Sequence, residues 1–138
     1  MILGVTGAMR VQELTDFTVD NATKHGDVLL LHVPDTKTKV SRNFVIDQKL
    51  LPFVEKYTNL RPSNVQHRRF FVNFQKGKCT RQPIGKNKIA SIPSEIAKFL
   101  KLPNPHLYTG TKNVYSLWIH VLEKLNDIRT RTNDPFFI

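Results

Sequence analysis

The sequence predicts an α+β fold, with a small antiparallel sheet built on a β-hairpin around residues 28–46 and packed with several helices. Three observations carry this expectation. The run VLLLHV (28–33) is apolar and of strand length, and after the turn formers Pro34 and Asp35 the chain returns as VSRNFVI (40–46). Residues 48–58 place Leu50, Phe53, Val54 and Tyr57 at i, i+3, i+4 and i+7, the stripe of an amphipathic helix. A second stripe, Val114, Leu117, Trp118, Val121, Leu122 and Leu125, spans 114–125.

Taken in chain order, MRVQELTD (9–16) reads as a short helix, FTVDN (17–21) as a strand, and Lys24-His25-Gly26-Asp27 as a turn. The unbroken apolar character of VLLLHV is the pattern of a strand buried on both faces. The hairpin that it begins carries Lys37 and Lys39 at its tip. The helix over 48–58 stops before Arg61-Pro62, because the residue before a proline is pushed out of the helical region. RFFVNF (69–74) is strand-like and QKGK (75–78) is a turn. SIPSEIAKFLK (91–101) predicts a helix with Pro93 in its first turn and Ile92, Ile96, Phe99 and Leu100 on one side, ended by Pro103 and Pro105. The tail from Asn126 is polar and is expected to fray. There is no internal repeat, low-complexity tract or linker.

The chain has 138 residues, 40% of them hydrophobic and nine of them phenylalanine, which suits one globular domain. A chain of this size buries roughly 68–70% of its surface on folding. No stretch approaches the roughly 18 apolar residues of a membrane span. The opening MILGVTGAM is too short, and lacks the basic flank, for a signal peptide. The single cysteine, Cys79, leaves no internal disulfide and disfavours zinc. These features point to an intracellular, reducing setting, without a cofactor.

Charge is distributed unevenly. Residues 1–55 carry six Lys/Arg against seven Asp/Glu, whereas 56–94 carry nine Lys/Arg and no acid. The remainder, 95–138, carries six against four. An acid-free basic window within a folded domain is the electrostatic footprint expected for a polyanion. The competing explanation is a solvated basic surface that aids solubility. Anionic membrane ranks behind both, because no basic amphipathic helix of the interfacial type is present.

Three features suit phosphate chemistry: Arg10, Lys37 and the basic window. A guanidinium forks onto two phosphate oxygens, and a lysine at a hairpin tip can protonate a leaving oxygen. Glu13, one helical turn from Arg10, is placed to hold that guanidinium. By spacing alone Arg10 and Glu13 read more simply as an i,i+3 surface ion pair, and Lys37 more simply still as a solvated turn residue.

The order Gly7-x-x-Arg10-x-x-Glu13-Leu14, then strand, then a hairpin with Thr36-Lys37-Thr38 at its tip, resembles the opening of the catalytic domain of tyrosine recombinases, the phage integrase family. The stretch FVNFQKGKCTRQPIGKNKIASIPSEIAKFLKLPNPHLYTG is similar to recombinase-like sequences of insect genomes, relics of mobile elements. The resemblance covers about residues 3–110 and implies a partial tyrosine-recombinase catalytic-domain fold over 1–110, with a divergent helix and tail over 111–138. It implies that Arg10 contacts the scissile phosphate, that Glu13 supports it, and that Lys37, or less well Lys39, assists the leaving 5′ hydroxyl. DNA phosphates would be met by Lys39 and Arg42 on the hairpin and by Arg68, Arg69, Lys76, Lys78, Arg81, Lys86 and Lys88 beyond it. A nuclear location and a homo-oligomer would follow the family.

The departures are equally specific. After Tyr108-Thr109-Gly110, where the family continues with His-x-x-Arg, this chain reads Thr111-Lys112-Asn113-Val114. Tyr108 precedes that box and Tyr115 follows it too closely for either to be the family's nucleophile; Tyr115 flanks the apolar stripe and reads as a packing residue. His106 reads as a loop residue, Trp118 as core, and the spacing of His120 does not support a replacement ligand. The ending from 111 resembles an altered exon or shifted frame, and the start lacks the family's preceding helices and DNA-clamping domain, which would leave Ile2, Leu3 and Val5 short of partners. Family chemistry runs through a covalent 3′-phosphotyrosyl intermediate held by two arginines, a histidine and a lysine. The expectation is therefore a DNA-binding protein without strand cleavage. The alternatives are a protein-interaction module of mobile-element origin, and an enzyme completed by a tyrosine from another subunit.

Overall fold

The computed structural model describes residues 2–34 and 39–108, together with Ile119, His120 and Glu123. The chain divides into two compact units, Met1–Ile89 and Ala90–Ile138. The fold is α+β with small antiparallel sheets, as composition and periodicity predict.

The first unit opens with helix α1 (Ile2–Thr6) and helix α2 (Val11–Asp16). Between them Ala8 takes a left-handed φ of 47°, and the Met9 N–H reaches back to the Gly4 carbonyl at 3.0 Å. That 6→1 bond closes α1 and turns Met9 into the core. Gly7 lies against the ring of Phe44 so closely that a Cβ would overlap it. Leu3 is buried in the same core and Ile2 packs against it, so neither lacks partners.

The segment 17–21 is not a strand. The Thr18 N–H and hydroxyl both donate to Asn21 Oδ1, at 2.9 and 2.8 Å, and close a 3-10 turn over Val19–Asn21. A short polar side chain has outcompeted ladder pairing there. Strand β1 (Ala22–His25) follows, then β2 (Val28–Val33) and β3 (Arg42–Ile46), in sheet order β1-β2-β3. The β1–β2 hairpin turns over Gly26-Asp27, where Gly26 adopts a φ of 58°. Lys24 and His25, expected in that turn, lie in β1. In β2, Leu29, Leu31 and Val33 are buried while Val28 and Leu30 are half-buried and His32 is exposed. The strand is thus buried on one face, the antiparallel pattern, and the apolar run overstated it. Leu31 stands opposite both Ala22 and Phe44, which makes it the centre of the sheet. The hairpin pairing of 28–46 is present, with β3 beginning at Arg42.

Asp47 starts helix α3 (Leu51–Asn59): its Oδ1 accepts the N–H groups of Lys49 and Leu50, and its carbonyl accepts that of Leu51. Leu51 and Val54 are buried, Leu50 and Tyr57 pack against the core, and Phe53 is 50% exposed. The helix is therefore rotated away from Phe53 relative to the predicted stripe. Met9, Leu31 and Ile46 are fully buried, and Phe17, Phe70, Phe71 and Tyr57 stack at centroid distances of 5.0–5.8 Å.

Strand β4 (Val72–Gln75) pairs antiparallel with β5 (Lys78–Pro83), an element absent from the expected sequence pattern. Its basic, proline-ended sequence KCTRQP hides it. The turn is only Lys76-Gly77, both at positive φ (51° and 78°), as a two-residue hairpin with right-handed strands requires. Helix α4 (Lys86–Phe99) begins five residues before the expected start, so Pro93 lies inside it instead of in its first turn.

In the second unit, the end of α4 is closed by the Leu102 N–H to Ala97 carbonyl and Lys101 N–H to Lys98 carbonyl bonds, with Lys101 at a φ of 55°. Of the predicted face Ile92, Ile96 and Leu100 are half-buried, but Phe99 is 83% exposed and Ala97 is fully buried in its place. Pro105–Leu107 forms a 3-10 turn containing His106. The stripe expected over 114–125, with Tyr115 and Trp118, lies outside the described residues except for Ile119, His120 and Glu123, which are helical.

These environments predict opposite responses to truncation. Leu31→Ala should lower unfolding stability by about 2–5 kcal/mol, whereas Phe99→Ala should stay within about 0.5 kcal/mol. Urea unfolding of the two variants measures both.

Candidate nucleic-acid interface

Arg10 sits at the N-cap of α2 in an extended conformation, and its backbone N–H donates to Glu13 Oε2 at 2.9 Å. This is one half of a capping box, which satisfies an N–H that the helix itself leaves open. The same Oε2 accepts Arg42 Nη2 from β3 at 2.6 Å. Glu13 is 6% exposed and Arg42 37%, and the second pair of atoms, Glu13 Oε1 and Arg42 Nε, is buried without a hydrogen-bond partner. The ion pair is thus single-pronged, between α2 and β3. Arg10's guanidinium, by contrast, has no hydrogen bond or ion pair among the described residues. It lines a cleft of about 360 Å³ with Glu13, Phe17, Asn21, Val33 and Pro34. Glu13 therefore positions the Arg10 backbone and anchors Arg42, not the Arg10 guanidinium. Lys37 lies outside the described residues; Lys39 is exposed, with a φ of 57°.

The basic window separates into engaged and open cations. Arg68 donates through Nε to Asp20 Oδ2 at 2.9 Å and through Nη2 to Oδ1. Arg69 lies 3.8 Å from Asp16. These two pairs, with the Val19 N–H to Arg68 carbonyl and Phe70 N–H to Phe17 carbonyl bonds (2.8 Å each), dock the 68–70 segment on residues 16–20. Arg61 donates to the carbonyls of His67, Arg69 and Phe70 and holds the loop shape. His67 Nδ1 accepts the Arg69 N–H, so its Nε2 carries the proton donated to the Arg81 carbonyl. Lys88 Nζ donates to Asn73 Oδ1 and the Phe74 carbonyl, at 2.6 and 3.1 Å.

Apart from Lys56 on α3, the exposed cations of the window with neither a side-chain hydrogen bond nor a carboxylate partner among the described residues are four: Lys76, Lys78, Arg81 and Lys86. They lie on the β4–β5 ribbon and at the start of α4. Between Val72 and Phe74 the ladder register slips, so Thr80, Arg81 and Gln82 bulge opposite Asn73, and the Gln82 N–H is taken by Thr80 Oγ1 at 3.3 Å. A bulge of this kind re-aims side chains at a sheet edge. Of the predicted DNA contacts, Arg42, Arg68, Arg69 and Lys88 are engaged within the protein, and Lys39 and these four are open. The engaging acids, Asp16 and Asp20, lie far away in sequence from the arginines they meet, and no local pattern announces them.

Arg68 holds the Asp20 carboxyl below the usual carboxylate range, through its hydrogen bond first and its charge second, while Asp20 holds Arg68 up. Burial pushes the Tyr57 hydroxyl up, against the Val72 N–H that it accepts. Among the described residues no cluster of His, Cys, Asp or Glu is suited to a metal, and no helix is long and apolar enough to cross a membrane. No family model matches the chain, and no curated protein or solved structure is similar to it.

Two substitutions separate the roles of the α2 residues. Glu13→Ala removes a cap worth about 0.5–2 kcal/mol and strands Arg42; breaking a buried pair costs about 3–5 kcal/mol, less here because Arg42 is partly exposed. Arg10→Ala should change stability by no more than about 0.5 kcal/mol. Thermal unfolding of the pair should rank them in that order. For Asp20, a depressed carboxyl contributes stability that is present above its unfolded value of 3.8 and is lost as pH falls through the lower folded one. Asp20→Asn reproduces that loss at neutral pH and frees Arg68, so it should tighten binding to a polyanion such as heparin, read as later salt elution.

Proposed function

We propose that the protein binds DNA through the phosphate backbone and is a degenerate relative of the tyrosine recombinases that no longer cleaves the strand. The observation that carries the DNA reading is the group of open cations, Lys76, Lys78, Arg81 and Lys86, in a stretch of 39 residues without an acid. Lysine and arginine side chains free of carboxylates release counterions from DNA at no cost in broken ion pairs. The guanidinium of Arg10, without a hydrogen bond or ion pair among the described residues and beside a cleft on a capped and anchored helix, supports a phosphate contact at the Gly-x-x-Arg box. The non-cleaving reading rests on Thr111-Lys112-Asn113-Val114, which supplies neither the histidine nor the second arginine. Without them the developing charge on the phosphate lacks its donors.

Binding driven by about four phosphate contacts should fall with salt at a log–log slope of about −3.6 on duplex DNA, and Lys76→Glu with Lys78→Glu should flatten it by about 1.8. Anisotropy titrations over a salt series measure both, and a flat salt response contradicts the reading. The interaction-module alternative instead predicts that function survives charge reversal of the ribbon. A nicked suicide substrate should trap no covalent protein–DNA adduct.

A further inference from the structure

The β4–β5 ribbon carries an aromatic ring that folding leaves open. Phe74 is 51% exposed, although its cross-strand partner Cys79 is buried. Lys76 opens the turn two residues on, Lys78 pairs with Gln75 at the next ladder position, and Lys88 holds its ammonium on the Phe74 carbonyl at 3.1 Å. No acid occurs between residues 56 and 94 to balance them. A half-exposed ring at the turn end of a cationic ribbon matches the chemistry of a nucleic-acid strand. The cations track phosphates and the ring offers a face on which a base can stack, without regard to sequence. In an intact duplex both faces of each base are covered by its neighbours, so the ring finds its partner only where a base is unpaired.

We infer that Phe74 on the basic β4–β5 ribbon is a stacking platform for an unpaired base, giving the ribbon a preference for single-stranded over duplex DNA. This inference rests on the DNA-binding reading and adds to it a second, salt-insensitive contribution. The lysines provide affinity for any polyanion, and the ring provides the discrimination.

The test compares a labelled single strand with a duplex of equal length, titrated by anisotropy against the full chain and its Phe74→Ala, Phe74→Leu and Phe74→Tyr forms. Phe74→Ala should weaken single-strand binding by about 5–100-fold and leave duplex binding and the salt slope unchanged. Phe74→Leu, which keeps apolar bulk without a π face, should behave as Phe74→Ala does, and Phe74→Tyr should retain binding. Equal losses on both DNAs, or no loss on either, would overturn the stacking role while duplex binding by the parent protein keeps the DNA reading intact. Failure of the parent to bind either DNA overturns both. Self-association of the parent that Phe74→Ala abolishes, with single-strand affinity unaltered, assigns the ring to a contact between copies and also overturns it.

Discussion

A carboxylate removed from water has to be met by donors, and Glu13 is met from two directions. The Arg10 N–H comes from its own helix and the Arg42 guanidinium from β3. Through that one oxygen, α2, only six residues long and unable to persist alone, is tied to the three-stranded sheet. The apolar neighbourhood is arranged around the same junction. Met9 precedes the cap and is fully buried, Phe17 follows the helix and joins Phe70, and Gly7 admits the Phe44 ring from the strand that bears Arg42. The consequence for function is a sorting of arginines: Arg42 is committed to holding the helix, and Arg10 is left open at a cleft.

The same sorting operates over the whole first unit. Every acid of the chain lies outside residues 56–94, and the ion pairs that the basic window makes among the described residues are long-range in sequence. Asp20 with Arg68 and Asp16 with Arg69 are such pairs. They lie on the surface, where pairs are worth little each, and backbone bonds at Val19 and Phe70 hold the same segment in place. What they change is the electrostatic map. Arg68 and Arg69 are paired with acids, whereas the cations of the β4–β5 ribbon and the start of α4 have no carboxylate partner among the described residues.

Much of this is legible in the sequence, for identifiable reasons. The short helix at 9–16, the hairpin of 28–46 and the helix near 48–58 follow from periodicity, and their main features are present. The errors fall where a side chain or partner decides the outcome. Asn21 captures the Thr18 donors and converts an expected strand into a turn. Phe53 is displaced from the core face because Leu51 and Val54 point inward. Strand β5 was concealed because its cross-strand partner, not its polar composition, makes it a strand. At the candidate site, residue types identified the cations, but which of them were free depended on Asp16, Asp20 and Glu13, whose partners only the fold selects. Spacing placed Glu13 one turn from Arg10, and it could not foresee that Arg42, 29 residues on, would take the carboxylate.

On the proposed reading, DNA meets the ribbon and the start of α4, with Arg10 as a separate guanidinium, and not the basic window as a whole. Amide and side-chain NMR shifts recorded while duplex DNA is added test this residue by residue. Perturbations should concentrate at Lys76, Gly77, Lys78, Arg81 and Lys86, with a response from the Arg10 guanidinium and little change at Arg42, Arg61 and Arg68. Shifts spread over Arg42, Arg61 and Arg68, with the ribbon unmoved, would contradict it.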